Sequence, residues 1–280
     1  YNIKGGGISG HYDTMILANC TFENNVALED GGGAYLRGNG IVLDNCTFSQ
    51  NACYEIGGGL YLSGNNVHIQ NCAFLDNYIS GYSVWEVSGG GLYLRSDNAV
   101  LQNCIFENNA IDLDEYYYYY DSYISGGGAA ITGINNTIQN CTFIGNEVEA
   151  DWFGGGGALS LESMNNIVTD CIFEENSVTG NDLVGGGALL LLYGATNIYN
   201  SLFLYNYSDG DYGASAIWYP SFYVGSTDTT LSTINSTFFG NQTQSNSAGV
   251  INNMDSEEEM IIQNCILWNE NELELGEYTT

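Results

Sequence analysis

Basic side chains are almost missing. The 280-residue sequence holds only Lys4, Arg37 and Arg95, against 33 Asp and Glu, a formal net charge of -30. Such a field repels nucleic acid, anionic membrane surfaces and acidic polysaccharides, and it attracts divalent cations. Histidine occurs twice, at His11 and His68. Both lie in strand-like segments, so no Ser/His/Asp triad is suggested. Proline occurs once, at Pro220. No apolar run is long enough to span a membrane, "ALLLL" at 188–192 being far too short, so membrane insertion is not expected. No C-x-x-C pair occurs, which argues against a zinc site. Tyr1 stands where an initiator Met would, which reads as a mature or trimmed chain.

What is abundant is glycine (37), tyrosine (22) and repetition. The hydrophobic fraction of 44% is that of a folded chain. A Cys-x-Phe-x-x-Asn element recurs about every 30 residues. Its Phe falls at Phe22, Phe48, Phe74, Phe106, Phe143, Phe173, Phe203 and Phe238, and its Asn at Asn25, Asn51, Asn77, Asn109, Asn146, Asn176, Asn206 and Asn241. A ninth copy, "NCILWNEN", has Leu267 in the Phe place and a slipped Asn. A polar corner residue precedes each copy, from Asn19 to Asn264, and a glycine cluster lies upstream, from Gly5 to Gly185.

Within one repeat, "GLYL", "VHIQ" and "CAF" each alternate with period two and are separated by Gly/Asn turns. No helical stripe appears, so a leucine-rich repeat does not fit, and the G-G-x-G-x-D calcium roll motif is missing. Three short strands per turn predict an all-β, right-handed parallel β-helix. It forms one domain over residues 1–280, with about nine coils and a length of roughly 43 Å. Equivalent residues then stack in columns of Phe, Cys and aliphatic side chains, with Asn ladders at the corners. Seven cysteines share one inward slot, and Cys53 falls in another apolar column. All eight read as buried free thiols, because stacked strands hold their Cβ atoms wider apart than a relaxed disulfide allows.

From the glycine cluster to Cys the spacing is constant through the first five coils. From Cys to the next cluster it varies, so the insertions leave at one corner. Insertions on one face of a solenoid mark its interaction face. They are aromatic and acidic, and they nominate Tyr82, Trp85, Tyr116, Tyr117, Tyr118, Tyr119, Tyr120, Tyr123 and Trp152 as a contact surface. Asp112, Asp114, Asp209 and Asp211 are candidate calcium ligands, calcium being the one cofactor considered. The glycine clusters read either as tight turns or as a smooth groove for an extended ligand.

The alternation of "GGGA" (31–34, 126–129, 185–188) or "GGGL" (57–60, 89–92) with Phe-x-x-Asn resembles the GGA[ILV] and FxxN repeats of chlamydial polymorphic outer membrane proteins. More broadly the chain resembles surface β-helices of the pectate-lyase-like superfamily. The resemblance implies a secreted, surface-exposed adhesive passenger. The lyases of that superfamily use a basic catalytic residue. Here Arg37 and Arg95 occupy equivalent repeat positions, which reads as repetition rather than an active site.

The expected function is therefore a non-enzymatic extracellular structural or adhesive surface protein, with a glycan or surface protein as partner. The alternative is a carbohydrate-active or carbohydrate-binding β-helix of the glycoside hydrolase type, with Asp112, Asp114 or Glu115 as paired acids. "YNIK" and "NELELGEYTT" are too short to cap the coils. The rod then either belongs to a longer surface fibre or stacks head-to-tail into a filament.

Overall fold

The computed structural model describes residues 4–80, 86–112, 123–150, 153–162, 164–180, 183–210, 213–220, 230–244, 249–253 and 259–269. They form an all-β, right-handed parallel solenoid. Three sheets have nine strands each. The first begins at Ile8–His11, the second at Ile16–Ala18 and the third at Thr21–Glu23, and they end at Ile251–Asn253, Glu259–Gln263 and Ile266–Trp268. A fourth sheet follows the Asn corner and has seven strands, from Ala52–Cys53 to Gln242–Thr243. About seven turns are therefore complete, and the first and last contribute three strands each.

Register is strict because a one-residue slip would turn each strand's apolar face outward. Leu92 pairs with Leu60 and with Ala129, and Phe74 pairs with Phe48 and Phe106. The Phe rings stack nearly parallel, with centroids from 4.6 Å (Phe106–Phe143) to 5.1 Å (Phe48–Phe74). Phe48 through Phe238 are fully buried. Burying each such ring contributes about 2–3 kcal/mol, and no coil could do this alone.

Inside the third corner the Asn side chains form a continuous ladder. Asn77 Nδ2 donates to Asn109 Oδ1 at 2.9 Å and to the Phe48 carbonyl at 2.8 Å, while its backbone N–H donates to the same Asn109 oxygen at 3.1 Å. Every polar atom of the amide is used, which makes full burial tolerable. The slipped Asn of the ninth copy, Asn269, still takes the last place and accepts from Asn241 Nδ2 at 3.1 Å. A second ladder runs along the solvent-facing corner, for example Asn45 Nδ2 to Asn19 Oδ1 at 2.7 Å and Asn140 Nδ2 to Asn103 Oδ1 at 2.7 Å. Each corner residue there has positive φ, 55° at Asn19 and 51° at Asn45. That conformation selects Asn, whose short side chain tolerates it.

From Gly31 onward the described glycine clusters are buried turns rather than an open groove, whereas Gly6 and Gly7 of the first coil are exposed. Gly57 has φ +72°, and a Cβ on Gly59 would lie 2.5 Å from the Gly91 carbonyl oxygen and 2.9 Å from Asn77 Cγ. The left-handed glycine of the sixth and seventh coils is Gly156 and Gly186 rather than Gly155 and Gly185. The earlier glycines close a strand of another sheet, described below.

Cysteine placement needs one correction. Six thiols are buried, but Cys20 and Cys265 are only half-buried. Their neighbours Phe22 and Leu267 are also only partly buried, since among the described residues a coil covers them on one side alone. All eight are free. Burial pushes the Cys53 thiol up to about 12.

Candidate functional site

The insertions do more than loop. The segment that returns from each is a strand of a fifth sheet: Glu86–Ser88, Tyr123–Ser125, Phe153–Gly155 and Leu183–Gly185. These four stack in parallel, Tyr123 pairing with Glu86 and with Phe153. Val87, Ile124 and Val184 face Cys53, Ile79, Ile111, Val148 and Val178 of the fourth sheet and make a second core. The Cys53 column is thus the inner face of a side lobe. The variable segments leave the fourth sheet and re-enter through the fifth, so their anchors sit in register.

Tyr82, Trp85, Asp114, Tyr116, Tyr117, Tyr118, Tyr119, Tyr120, Trp152 and Asp211 lie outside the described residues. Asp112 is exposed just after the fourth-sheet strand Ala110–Ile111. Asp209 accepts the Gly180 backbone N–H at 2.7 Å, so one of its oxygens braces a neighbouring coil. Among the described residues no group of three or more His, Cys, Asp and Glu is placed to hold a metal ion.

Tyr123 anchors an internal network. Its hydroxyl lies 3.3 Å from Ser160 Oγ, and its ring packs 5.5 Å from Phe153. Ser125 Oγ donates to Glu162 Oε1 at 2.9 Å, and Ser160 Oγ donates to it at 3.4 Å. Burial, reinforced by the Glu86 charge, pushes the Glu162 carboxyl up to about 7 despite these bonds. Burial also raises Glu86, against the pull of its hydrogen bond to Tyr93 and the charge of Arg95.

This network continues a ladder on the outer face of the first sheet. Tyr35, Tyr61 and Tyr93 stack at 4.6 and 5.3 Å and are all but buried. All three basic residues belong here. Lys4 Nζ meets Asp30 Oδ2 at 2.5 Å and Glu29 at 3.5 Å, and lies 5.2 Å from the Tyr35 centroid. The Arg37 guanidinium lies 5.2 Å from the Tyr35 ring and 6.0 Å from that of Tyr61. Arg95 lines an open polar cleft of about 470 Å³ with Asp97 and Thr132.

Sequence reasoning missed Glu86 and Glu162. A signal existed for the second: His11, Arg37, Ser63, Arg95, Thr132 and Glu162 occupy one register row of the first sheet. Nothing in the spacing shows that the fifth sheet would fold over that row.

Against known proteins, the right handed beta helix region family matches residues 1–112. No curated protein and no solved structure matches the chain.

Proposed function

We propose that the chain is a non-enzymatic structural or adhesive rod of an extracellular surface, with contacts carried on the lobe corner. The observation that supports this is the register of the lobe anchors, Glu86 with Tyr123 and Tyr123 with Phe153. It sets successive variable segments one coil apart, about 4.8 Å, on a rigid base. The sequence of those segments, rich in Tyr, Trp, Asp and Glu, suits a glycan or a surface protein. The chlamydial-type repeats and the likeness to pectate-lyase-like surface helices argue for display outside the cell.

The test replaces residues 81–85 and 113–122 with short Gly-Ser linkers and measures adhesion to glycan arrays and to cells. Loss of binding with an unchanged melting midpoint is expected. Binding that survives both replacements would overturn the reading.

A second reading, carbohydrate hydrolysis, is favoured by one feature: Glu162 of the first sheet, held near 7, lies within the field of the Glu86 carboxyl on the lobe. A carboxyl held near neutrality suits a general acid. Release of reducing ends from neutral polysaccharides, abolished by Glu162→Gln, would support it over the first.

A further inference from the structure

The last three coils carry a feature that neither the lobe nor the repeat requires. On the outer face of the third sheet, Tyr205, Phe239 and Trp268 line an open cleft of about 280 Å³ with Gly240 and Gln242. The three rings are exposed by 51%, 38% and 62%. They stand as walls rather than as a flat stack. Tyr205 and Phe239 are 5.5 Å apart at 88°, and Phe239 and Trp268 are 6.2 Å apart at 67°.

Two further observations separate this cleft from a chance apolar patch. Tyr205 has φ 56°, and its place in the turn is held in other coils by Asn24, Gln50, Asp76, Asn108, Gly145, Glu175 and Gly240. A bulky aromatic residue there costs about 1–2 kcal/mol, and strain of this kind persists where the structure uses it. Next, a Cβ on Gly240 would lie 2.6 Å from Tyr205 Cδ1 and Cε1. The Tyr205 ring therefore occupies the space that a side chain at 240 would fill. The strained tyrosine and the glycine beside it build the cleft together.

Charge narrows the ligand. Lys4, Arg37 and Arg95 all lie in the first four coils, far along the rod. One coil before the cleft, Glu174 pairs with Leu204, and exposed Glu175 holds the turn position equivalent to Tyr205. Steeply inclined ring faces with carboxylates one coil away, on a chain of net charge -30, attract a cation that sheds water easily. Alkylated ammonium groups meet that requirement, and inorganic cations and neutral sugars do not. We propose that the Tyr205–Phe239–Trp268 cleft binds a small soluble quaternary ammonium compound. This goes beyond the surface-rod reading, because the cleft lies on a different face from the lobe.

The test titrates choline chloride into the full chain against its neutral carbon isostere, 3,3-dimethylbutanol, and against methyl glucoside. Ionic strength is matched with sodium chloride, and binding is read by the Trp268 indole N–H resonance. Choline is expected to bind at least tenfold more tightly than either neutral compound. Tyr205→Gly should weaken choline at least tenfold while leaving the melting midpoint equal or higher, since it relieves the backbone. That pairing separates loss of the site from loss of the fold. Tyr78→Ala, on the exposed face of the fourth sheet, should change nothing. Equal binding of choline and the isostere, tighter binding of the glucoside, or no saturable shift with choline would each overturn the proposal.

Discussion

Asn51 and Asn77 are joined twice: the side-chain amide of Asn51 donates to Asn77 Oδ1 at 2.9 Å, and its backbone N–H donates to the same oxygen at 3.1 Å. One oxygen thus satisfies two buried donors of the coil before it. Deleting one rung exposes both neighbours. Asn109→Ala is expected to strand the Asn77 donors and the Phe74 carbonyl, costing about 2–4 kcal/mol. Asn109→Asp should cost at least as much, because a carboxylate cannot donate to Phe74 or Asn146. Urea midpoints of the two variants check this. An unchanged midpoint in either would mean that the ladder carries no stability.

Thiol chemistry should divide by coil. Cys20 and Cys265 are half-buried and the other six are enclosed. Two groups are expected to react with a thiol reagent in the native protein and all eight after denaturation. Cys53, pushed up to about 12 by burial, should be among the last. Rapid native labelling of Cys104 or Cys141 would contradict the column.

The Glu162 carboxyl gives a signed pH dependence. Its folded value, about 7, stands above the ordinary 4.5. The folded state therefore holds the proton more tightly than the unfolded one. Its contribution is fully present below about pH 4.5 and is lost as pH rises through 7. Because the side chain keeps some contact with solvent, the expected loss is about 1–2 kcal/mol. Glu162→Gln should flatten the melting profile between pH 5 and 7. A wild-type profile that rises across that window would refute the assignment.

Calcium should stabilise the chain. A net charge of -30 repels itself, and exposed Asp112 lies beside an insertion whose sequence is acidic. The expected outcome is a melting midpoint several degrees higher in calcium than in chelator at matched ionic strength. Identical midpoints would remove calcium from the account.

The repeat made the solenoid legible because each column is chemically distinct. Phe, Cys and Asn recur at fixed separations, and the corner Asn residues announce positive φ. Cys53 was legible as core from its column alone. The fifth sheet was not. "EVS", "YIS", "FGG" and "LVG" at 86–88, 123–125, 153–155 and 183–185 share little but a strand's length. Their pairing is set by insertions of different lengths, which conceal the register. Glu162 escaped for the same reason, since its burial depends on that sheet. The cleft at Tyr205 was hidden by the repeat itself: its tyrosine sits at a turn position whose residue changes from coil to coil, so the sequence does not announce its positive φ. The half-burial of Cys20 and Cys265 follows from coil neighbours, which a motif does not count.

The two asparagine ladders also point in opposite directions. In the buried one, each side-chain amide gives one proton to the Asn oxygen of the later coil, from Asn25 to Asn51 and onward to Asn269, and from Asn51 on the other goes to a Phe carbonyl of the coil before. Backbone carbonyls of Phe residues, which can only accept, fix that sense. In the outer one the amides donate toward the earlier coil, Asn45 to Asn19 and Asn235 to Asn200. Asp170 has no proton to pass on; it receives from Asn200 and ends the run. Water screens the outer set of dipoles, whereas the inner set adds up in a medium of low polarisability. The rod is thus an oriented object, with an electrostatic arrow along its axis pointing from the last coil to the first or the reverse according to sign convention, but never cancelling. A bond pattern inside one corner therefore tells the first coil from the last by the direction in which its amides face.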